Sequence, residues 1–470
     1  MLFPTIDFAV FFTVVLVLSW FVPAFSTSWK LLILAASYVF YGWWDPRFCL
    51  LLAATTVVNQ LAARLVARSQ GRRRVAFVAG AVTVDLAVLG YFKYAGFFAS
   101  SLVNALGSLG VNPPVPLIQV ALPVGISFFT FQAISYVVDV HRRVIQPGKA
   151  LDVAVFLAFF PHVVAGPIVR ASEFLPQLRP NRWARRIDAT LALWLIVGGL
   201  FKKVVLASYL STNIVDPVFA VPSSHSSPEV LVAIYAYAVQ IWADFSGYTD
   251  IAIGVALLLG IRFPQNFNAP YTAASFQDFW RRWHMTLSRW LRDYLYIPLG
   301  GNRGSRGVVA RNLMITMLIG GLWHGAAWTF VVWGGLHGTY LIVERFGRSW
   351  RQRLGLGPLP MSWLWSRLIV FNLVCLAWVF FRADSMTTAF TLLDRLVTAP
   401  GPAPLVTPMV LLAIGAGIGV QYVPRDIATR IVASVSRLGP ALQGAGVAAA
   451  LGIIGALGPQ GVAPFIYYRF

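Results

Sequence analysis

The chain has 470 residues, of which 58% are hydrophobic and 11% are charged, and its formal net charge is +20. Soluble globular proteins carry about 25% charged residues, so this composition excludes an ordinary soluble domain. The Lys and Arg residues lie mainly between long apolar runs, as in cytoplasmic loops of membrane proteins, and we expect no nucleic-acid partner. The sequence therefore predicts a polytopic membrane protein, all-helical because backbone in lipid must satisfy its own hydrogen bonds.

Apolar runs that match the thickness of the bilayer core follow one another along the whole chain, and we count about a dozen. The first run lacks the basic start and the small-residue cleavage site of a signal peptide, so we interpret it as a retained span. The runs lie near residues 5–25, 29–43, 48–67, 75–92, 95–109, 117–139, 151–168, 188–212, 228–260, 312–343, 364–382, 405–423 and 440–458. We expect one membrane domain over residues 1–470.

Basic segments set the expected orientation of the chain. The segment ARSQGRRRV at 67–75 is expected inside, which places the N-terminus outside if three spans precede it. Arg430 and Arg437 mark another inside loop near the end. The last apolar run would then carry residues 459–470 outside as a tail.

The segment at 275–307, which begins SFQDFWRRWHMTLSRW, is neither a span nor a simple loop. Its large apolar residues follow the spacing of one helix face, and basic residues cover the other sides: Phe276, Trp280, Trp283, Leu287, Trp290 and Tyr294 form that face. This pattern predicts a basic amphipathic helix at or in the cytoplasmic membrane surface. A membrane-hugging connector is the simplest interpretation, but His284 lies among the tryptophans.

Another histidine lies in a still less polar setting. The segment from Asn312 to Val343 contains no Lys, Arg, Asp or Glu, yet it holds His324 in GGLWHGAAWTF and His337 in WGGLHG. We expect this segment to be one broken helix or two short helices. Ionisable groups within a membrane usually mark function, because burying a polar group without a hydrogen bond costs free energy.

The surroundings of His324 favour general-base chemistry. No HExxH motif is present, and no acid or cysteine lies one helical turn from His324 or His337, so we expect no metal. No GxSxG motif supports a serine nucleophile. Burial among apolar groups favours the neutral imidazole that a base needs. A structural histidine bonded to a carbonyl group is the alternative.

Other polar residues in apolar segments leave two interpretations open. Asp244 and Asp250 lie in QIWADFSGYTDIAIG. They are either structural partners for an arginine or for a backbone break, or they orient an imidazole or line a water-filled path. We interpret His225 as a solvated loop residue and His141 as an interfacial group, and we leave His162 open.

Several long motifs resemble those of the membrane-bound O-acyltransferase family. They include DFWRRWHMTLSRWLRDYLYIPLGGNR, GLWHGAAWTFVVWGGLHG, LPVGISFFTFQAISYVVDVHR and DFSGYTDIAIG. The likeness runs from FYGWWDPRF at 40–48 to the terminal PFIYYRF and is greatest for the bacterial branch that acts on alginate and teichoic acid. It implies a ring of tilted helices around a transmembrane funnel.

The resemblance also implies roles for residues and partners. His324 takes the position of the catalytic histidine, and His284 that of a second motif histidine near the cytoplasmic side. The donor is expected to be acetyl-CoA or an acetyl carrier protein, with no bound cofactor, and the membrane is the bacterial inner membrane. An exported SGNH-type acetyltransferase would complete the transfer to an alginate-like polysaccharide. In the tail, Tyr467 is the first and Tyr468 the second candidate for carrying the acyl group, unless these rings only anchor the chain at the interface.

We expect basic side chains on the cytoplasmic face to attract the phosphates of the donor. The candidates for donor binding or for lining the funnel are Arg281, Arg282, Arg289, Arg292, Trp283, Trp323 and Asp250. Three alternatives remain open: D-alanyl transfer or acylation of another envelope polymer, a secondary transporter, and a non-catalytic scaffold. A transporter would favour internal repeats, and none is visible in the sequence.

Overall fold

The computed structural model describes residues 1–111, 120–179, 187–355 and 363–458. Within these ranges all regular structure is helical, which confirms the all-α prediction. The chain divides into two compact units, Met1–Asp188 with Val255–Pro264, and Ala189–Gly254 with Gln265–Phe470. That the whole chain acts as one membrane domain stays a prediction.

The first unit is held together by polar pairs between helices as well as by apolar packing. Its helices are α1 Ile6–Trp20, α2 Thr27–Gly42, α3 Arg47–Arg68, α4 Gly71–Leu89, α5 Ala95–Gly107, α6 Ile126–His141, α7 Ala150–Ala158, α8 Phe160–Val163 and α9 Ala171–Phe174. Lys30 Nζ of α2 lies 2.6 Å from Asp152 Oδ1 of α7. Asn59 Nδ2 donates to Asp85 Oδ1 at 2.9 Å, which joins α3 to α4. These two polar pairs join helices inside the unit and offset part of the cost of burying their charged and amide groups.

The second unit contains the histidine motifs. Its helices are α10 Ala189–Leu200, α11 Ser208–Leu210, α12 Asp216–Ala220, α13 Ser227–Leu258 (whose last turn belongs to the first unit), α14 Phe276–Arg282, α15 Met285–Leu291, α16 Arg306–His324, α17 Trp328–Arg353, α18 Trp363–Arg382, α19 Met386–Thr398, α20 Pro408–Gly419, α21 Arg425–Val435 and α22 Pro440–Leu457. Turns of π-helix at Phe201–Ala207 and Ser211–Val215 join α10 to α12. Another, Arg292–Tyr296, extends α15.

The prediction of about a dozen spans is not confirmed. Six helical stretches of the described residues are long and apolar enough to cross a membrane, and a bent pair near 408–435 would add a seventh: they are Arg47–Arg68, Gly71–Gly107, Ala189–Ala220, Ser227–Leu258, Trp363–Arg382 and Pro440–Leu457. Other apolar runs form shorter or interrupted helices. The first predicted span is a helix of 15 residues, and the run at 151–168 is broken between α7 and α8. Hydropathy alone does not detect such breaks.

The prediction of one continuous amphipathic helix through His284 is wrong, because the segment forms two helices that are separated at Trp283 and His284. Helix α14 ends at Arg282, Trp283 is extended, and His284 has the left-handed backbone angles φ 40° and ψ 55°. Residues other than glycine rarely adopt this backbone conformation, which costs on the order of 1–3 kcal/mol. The break therefore needs support from the surrounding contacts, and it lies at a candidate site residue.

The predicted interruption of the segment at 312–343 is confirmed. Helix α16 ends at His324, the next residues are extended, and α17 begins at Trp328. Two glycines let these helices touch backbone to backbone: a Cβ on Gly321 would lie 2.2 Å from the carbonyl oxygen of Phe330, and one on Gly334 would lie 2.4 Å from that of Met317. No larger residue fits there unless the helices move apart.

Candidate active site

His324 is the last residue of α16 and lies in a wall of aromatic rings. Its side chain is buried, with the residue 2% exposed. Ring centroids lie 5.0 Å away for Trp323, 5.0 Å for Trp333 and 5.2 Å for Phe381. At the adjoining break, a Cβ on Gly325 would lie 2.1 Å from the Phe330 ring. The local chain thus fixes the imidazole between two helices in an apolar setting.

His284 is the second imidazole of the site and is completely buried. Its ring centroid lies 6.4 Å from that of His324, and Trp323 contacts both rings. His284 lies outside the six stretches of membrane-crossing length. Burial lowers its pKa to about 3, because an apolar setting disfavours the charged form. The neutral ring is held by Asn266, whose Oδ1 lies 3.1 Å from Nδ1.

The sequence-predicted tryptophans are part of this arrangement. Trp283 is buried, and its ring centroid lies 4.9 Å from Trp378 and 5.0 Å from Phe267. Trp323 contacts both histidine rings. Both residues therefore lie in the aromatic cluster around the imidazoles. Whether they contact a donor stays a prediction.

His337 joins the same cluster from α17. It is fully buried, and its ring stacks on Phe279 at 5.9 Å and meets Trp333 at 4.8 Å. Neither ring nitrogen has a hydrogen-bond partner within the described part of the chain. The sequence marks His337 by its apolar surroundings in WGGLHG but predicts no role for it.

Asp250 and Asp244 are paired with neighbouring lysines, which is the structural one of the two interpretations left open. Lys203 Nζ lies 2.5 Å from Asp244 Oδ1, and the side chains are 3% and 5% exposed. Lys202 pairs with Asp250, and these side chains are 21% and 29% exposed. The π turn at Phe201–Ala207 carries both lysines toward α13. An ion pair therefore accounts for Asp250, and its place in a funnel stays a prediction.

The four predicted donor-binding arginines differ in their surroundings. Arg281 is exposed and Arg289 is half-buried. Arg282 Nε lies 2.8 Å from Asp278 Oδ1, and Arg292 Nε lies 2.6 Å from Asp293 Oδ1. The charges of Arg282 and Arg292 are therefore balanced by neighbouring carboxylates.

Sequence reasoning missed a basic cavity of about 490 Å³ beside α14. Gln277 of α14 lines it. Four arginines line it too, one from the start of α16 and three from the last turns of α17: Arg306, Arg345, Arg348 and Arg353. Arg348 pairs with Glu344, whose carboxylate also accepts the N–H of Phe276 at 2.5 Å. Within the described ranges, the other three arginines have no carboxylate within 4.0 Å. Basic loops in the sequence signalled this charge, but only the folded helices bring it together.

The remaining histidines have structural contacts. His162 is buried, with Nε2 2.7 Å from the carbonyl oxygen of Phe156 and its ring stacked on Phe263. His225 is half-buried rather than the solvated loop residue expected: its side chain is 16% exposed, and Nδ1 lies 3.0 Å from Glu229 Oε2. The tail candidates Tyr467 and Tyr468 lie outside the described residues.

A buried imidazole among aromatic rings is suited to take a proton from a hydroxyl group, as acyl transfer to an alcohol requires. The described residues also include six helical stretches of membrane-crossing length, as in a membrane protein. Fold and site together define the class of membrane-embedded acyl-transfer proteins.

Comparison with known proteins makes this class specific. The profile of the MBOAT, membrane-bound O-acyltransferase family matches residues 38–383. The chain is a member of this family and an O-acyltransferase that resides in a membrane.

Curated relatives carry related names. "Probable alginate O-acetylase AlgI" of Azotobacter vinelandii is 44% identical over 370 residues, which is 77% of this chain and 71% of the relative. The Helicobacter pylori protein named peptidoglycan O-acetyltransferase is 38% identical over 409 residues, 81% of this chain and 75% of its own. A teichoic acid D-alanyltransferase of Streptococcus thermophilus is 30% identical over 285 residues, 55% of this chain and 67% of its own.

Proposed function

We propose that this O-acyltransferase moves an acetyl group from a cytoplasmic thioester across the bacterial inner membrane for O-acetylation of an exported, alginate-like polysaccharide. One observation carries the proposal: two buried imidazoles, His284 and His324, lie 6.4 Å apart between ring centroids in a membrane O-acyltransferase. The greater identity to relatives named for O-acetylation than to those named for D-alanylation favours acetyl transfer.

The proposal includes the architecture that the family resemblance implies. A ring of tilted helices would enclose a funnel, and the shorter and broken helices would add crossings to the six long ones. The donor would be acetyl-CoA or an acetyl carrier protein, used as a substrate, with no cofactor bound. An exported SGNH-type acetyltransferase would act next on the polymer.

In the proposed reaction, His324 acts as the general base. A hydroxyl oxygen attacks the thioester carbonyl carbon, and the hydroxyl proton passes to the imidazole. A carbon–oxygen bond forms, the carbon–sulfur bond breaks, and the thiolate leaves with its electron pair. The proton on His324 then goes to the thiolate, which restores the neutral base. Tyr467, or Tyr468 in second place, is our candidate for the attacking hydroxyl.

The test uses purified full-length protein in lipid nanodiscs with radiolabelled acetyl-CoA. We expect thioester consumption that depends on His324, together with label on a tail tyrosine or on an added alcohol. Label that maps to Tyr467 or Tyr468 supports the relay, and hydrolysis without label on the protein contradicts it. If D-alanyl thioester is consumed and acetyl thioester is not, the acetyl assignment is wrong. In a parallel assay with sealed proteoliposomes, label that reaches the lumen without bond cleavage would support a transporter.

We assign the phosphates of the donor to the basic cavity, because three arginines there lack a carboxylate partner in the described chain. Replacing Arg345 and Arg353 together by alanine should raise KM for acetyl-CoA about 10-fold with little change in kcat, since only binding contacts are lost. The measurement is steady-state acetyl transfer at varied donor concentration.

Two controls accompany the cavity variant. S-acetyl-N-acetylcysteamine, a short thioester without phosphates, should be used equally well by the variant and the wild type. The double variant Arg281→Ala/Arg292→Ala removes two charges from the face that the sequence predicted. A larger rise in KM for that variant would move the phosphate site from the cavity to that face.

A further inference from the structure

The contacts of Asn266 determine which nitrogen of His284 carries the proton. Asn266 Oδ1 is near three donors: the main-chain N–H of Thr286 at 3.2 Å, the Thr286 hydroxyl at 2.9 Å and His284 Nδ1 at 3.1 Å. The main-chain N–H of Met285 also donates to the main-chain carbonyl oxygen of Asn266, at 2.9 Å. Asn266 is therefore fixed against the start of α15 by both main-chain and side-chain contacts.

The main-chain N–H of Thr286 removes the usual ambiguity in the orientation of an amide. An N–H group can only donate, so the Asn266 atom that faces it must be the oxygen. That same oxygen faces His284 Nδ1, which must then carry a proton to bond with it. In a neutral imidazole, the other nitrogen, Nε2, is then unprotonated and presents a lone pair.

The lone pair of Nε2 is available for a substrate. Among the described residues, Nε2 has no hydrogen-bond partner, and the ring is completely buried. The ring centroid of His284 lies 4.7 Å from that of Phe245, 5.9 Å from that of Trp323 and 6.4 Å from that of His324. Buried polar atoms in native proteins nearly always have a partner, so the arrangement points to a hydrogen-bond donor supplied from outside the chain.

Chemistry restricts what that donor can be. An unprotonated nitrogen cannot bind the thioester carbonyl oxygen, which is itself an acceptor. In the proposed reaction, the hydroxyl proton goes to His324. The pantetheine arm shared by coenzyme A and carrier proteins has an amide N–H only a short chain of bonds from the thioester carbon. A segment this short suits two imidazoles whose centres lie 6.4 Å apart.

We propose that Asn266 is a positioning residue that holds His284 with a bare Nε2, and that this nitrogen accepts the N–H of the pantetheine amide beside the thioester. The inference rests on the proposed thioester donor and adds the recognition of that donor. It also gives a role to the left-handed backbone of His284, because the break between α14 and α15 brings Nδ1 to Asn266. The thioester carbonyl is thereby aligned with His324.

The test compares two short donors that differ in one group. S-acetyl-N-acetylcysteamine has the amide N–H, and its ester analogue, with oxygen in place of that N–H, does not. We expect wild-type kcat/KM to be about 10-fold higher for the amide, because the ester leaves a buried acceptor unpaired. Where turnover of short donors is slow, the thiols of both compounds are compared as inhibitors of acetyl-CoA turnover.

Variants connect that preference to Asn266. Asn266→Leu removes the acceptor and should abolish the preference for the amide, whereas Asn266→Asp keeps an oxygen acceptor and should retain it. Asn268→Leu, two residues along the same loop, is the matched control and should behave as the wild type. A purely structural role of Asn266 would lower turnover of both donors equally.

A spectroscopic measurement tests the protonation of the His284 ring nitrogens independently of activity. In the ¹⁵N spectrum of histidine-labelled protein, the His284 signals, assigned by their loss in His284→Gln, should show a protonated Nδ1 and a bare Nε2. A protonated Nε2 in the wild type would overturn the inference. So would normal acetyl-CoA turnover without any preference between the short donors. If acetyl-CoA is not consumed at all and Nε2 is bare, the proposed function fails while the tautomer assignment stands.

Discussion

Replacing His324 by alanine is expected to lower the rate of acetyl transfer by about 10²- to 10⁴-fold, the usual cost of losing a general base. The tryptophan and phenylalanine rings around His324 cannot take a proton from the attacking hydroxyl, and His284 Nε2 is proposed to bind the donor amide instead. Helix α16 should persist, because alanine has a high helix propensity and the glycine contacts with α17 do not involve the imidazole. The measurement is kcat for transfer from radiolabelled acetyl-CoA, at protein levels matched by quantified purification.

Two further variants separate chemistry from structure. His324→Gln keeps a polar side chain of similar length but has no basic nitrogen, so it should be as inactive as the alanine variant. His141→Gln, at the end of α6 in the other unit, changes a histidine outside the site and should retain activity. Wild-type turnover by either His324 variant would remove this residue from the mechanism.

Replacing Asp244 by leucine is expected to lower the free energy of unfolding by about 3–5 kcal/mol, the cost of leaving one charge of a buried ion pair without its partner. Lys203 and Asp244 are 3% and 5% exposed, so water cannot solvate the lysine that remains. The double variant Lys203→Met/Asp244→Leu should recover most of the loss, because it removes both charges. Thermal unfolding of the purified protein in detergent measures each difference.

The neighbouring pair provides the comparison. Lys202 and Asp250 are 21% and 29% exposed, so Asp250→Asn should destabilise the protein less than Asp244→Leu. If Asp250→Asn leaves stability unchanged but lowers acetyl transfer, Asp250 belongs to the funnel, as the sequence prediction has it. Equal destabilisation by Asp244→Leu and by the double variant would contradict the ion-pair explanation.

The general character of the fold could be predicted because membrane burial constrains sequence strongly. Long apolar runs indicated helices, and the segment at 312–343 was expected to be one broken helix or two short helices, which the break between α16 and α17 confirms. The number of spans could not be obtained in this way. A hydropathy window averages over interruptions such as the one between α7 and α8, and several apolar runs form helices too short to cross a membrane.

The candidate site was predictable only for residues with unusual surroundings. An imidazole among Trp and Gly is conspicuous in a sequence, which is why His284 and His324 were selected. Asn266 gave no such signal, because an asparagine in a loop is ordinary until folding brings it to His284. The arginines of the basic cavity come from the start of α16 and the end of α17, which are far apart in the sequence, and only tertiary structure brings them together.

The backbone contact between α16 and α17 has a consequence for protein engineering. The atoms that set the spacing of these helices are main-chain atoms beside Gly321 and Gly334. The spacing therefore does not depend on the aromatic side chains around His324. A designer could therefore change the bulk of Phe381 or Trp378 while the spacing of α16 and α17 is kept. The helix pair offers a constant frame on which the packing around His324 can be varied.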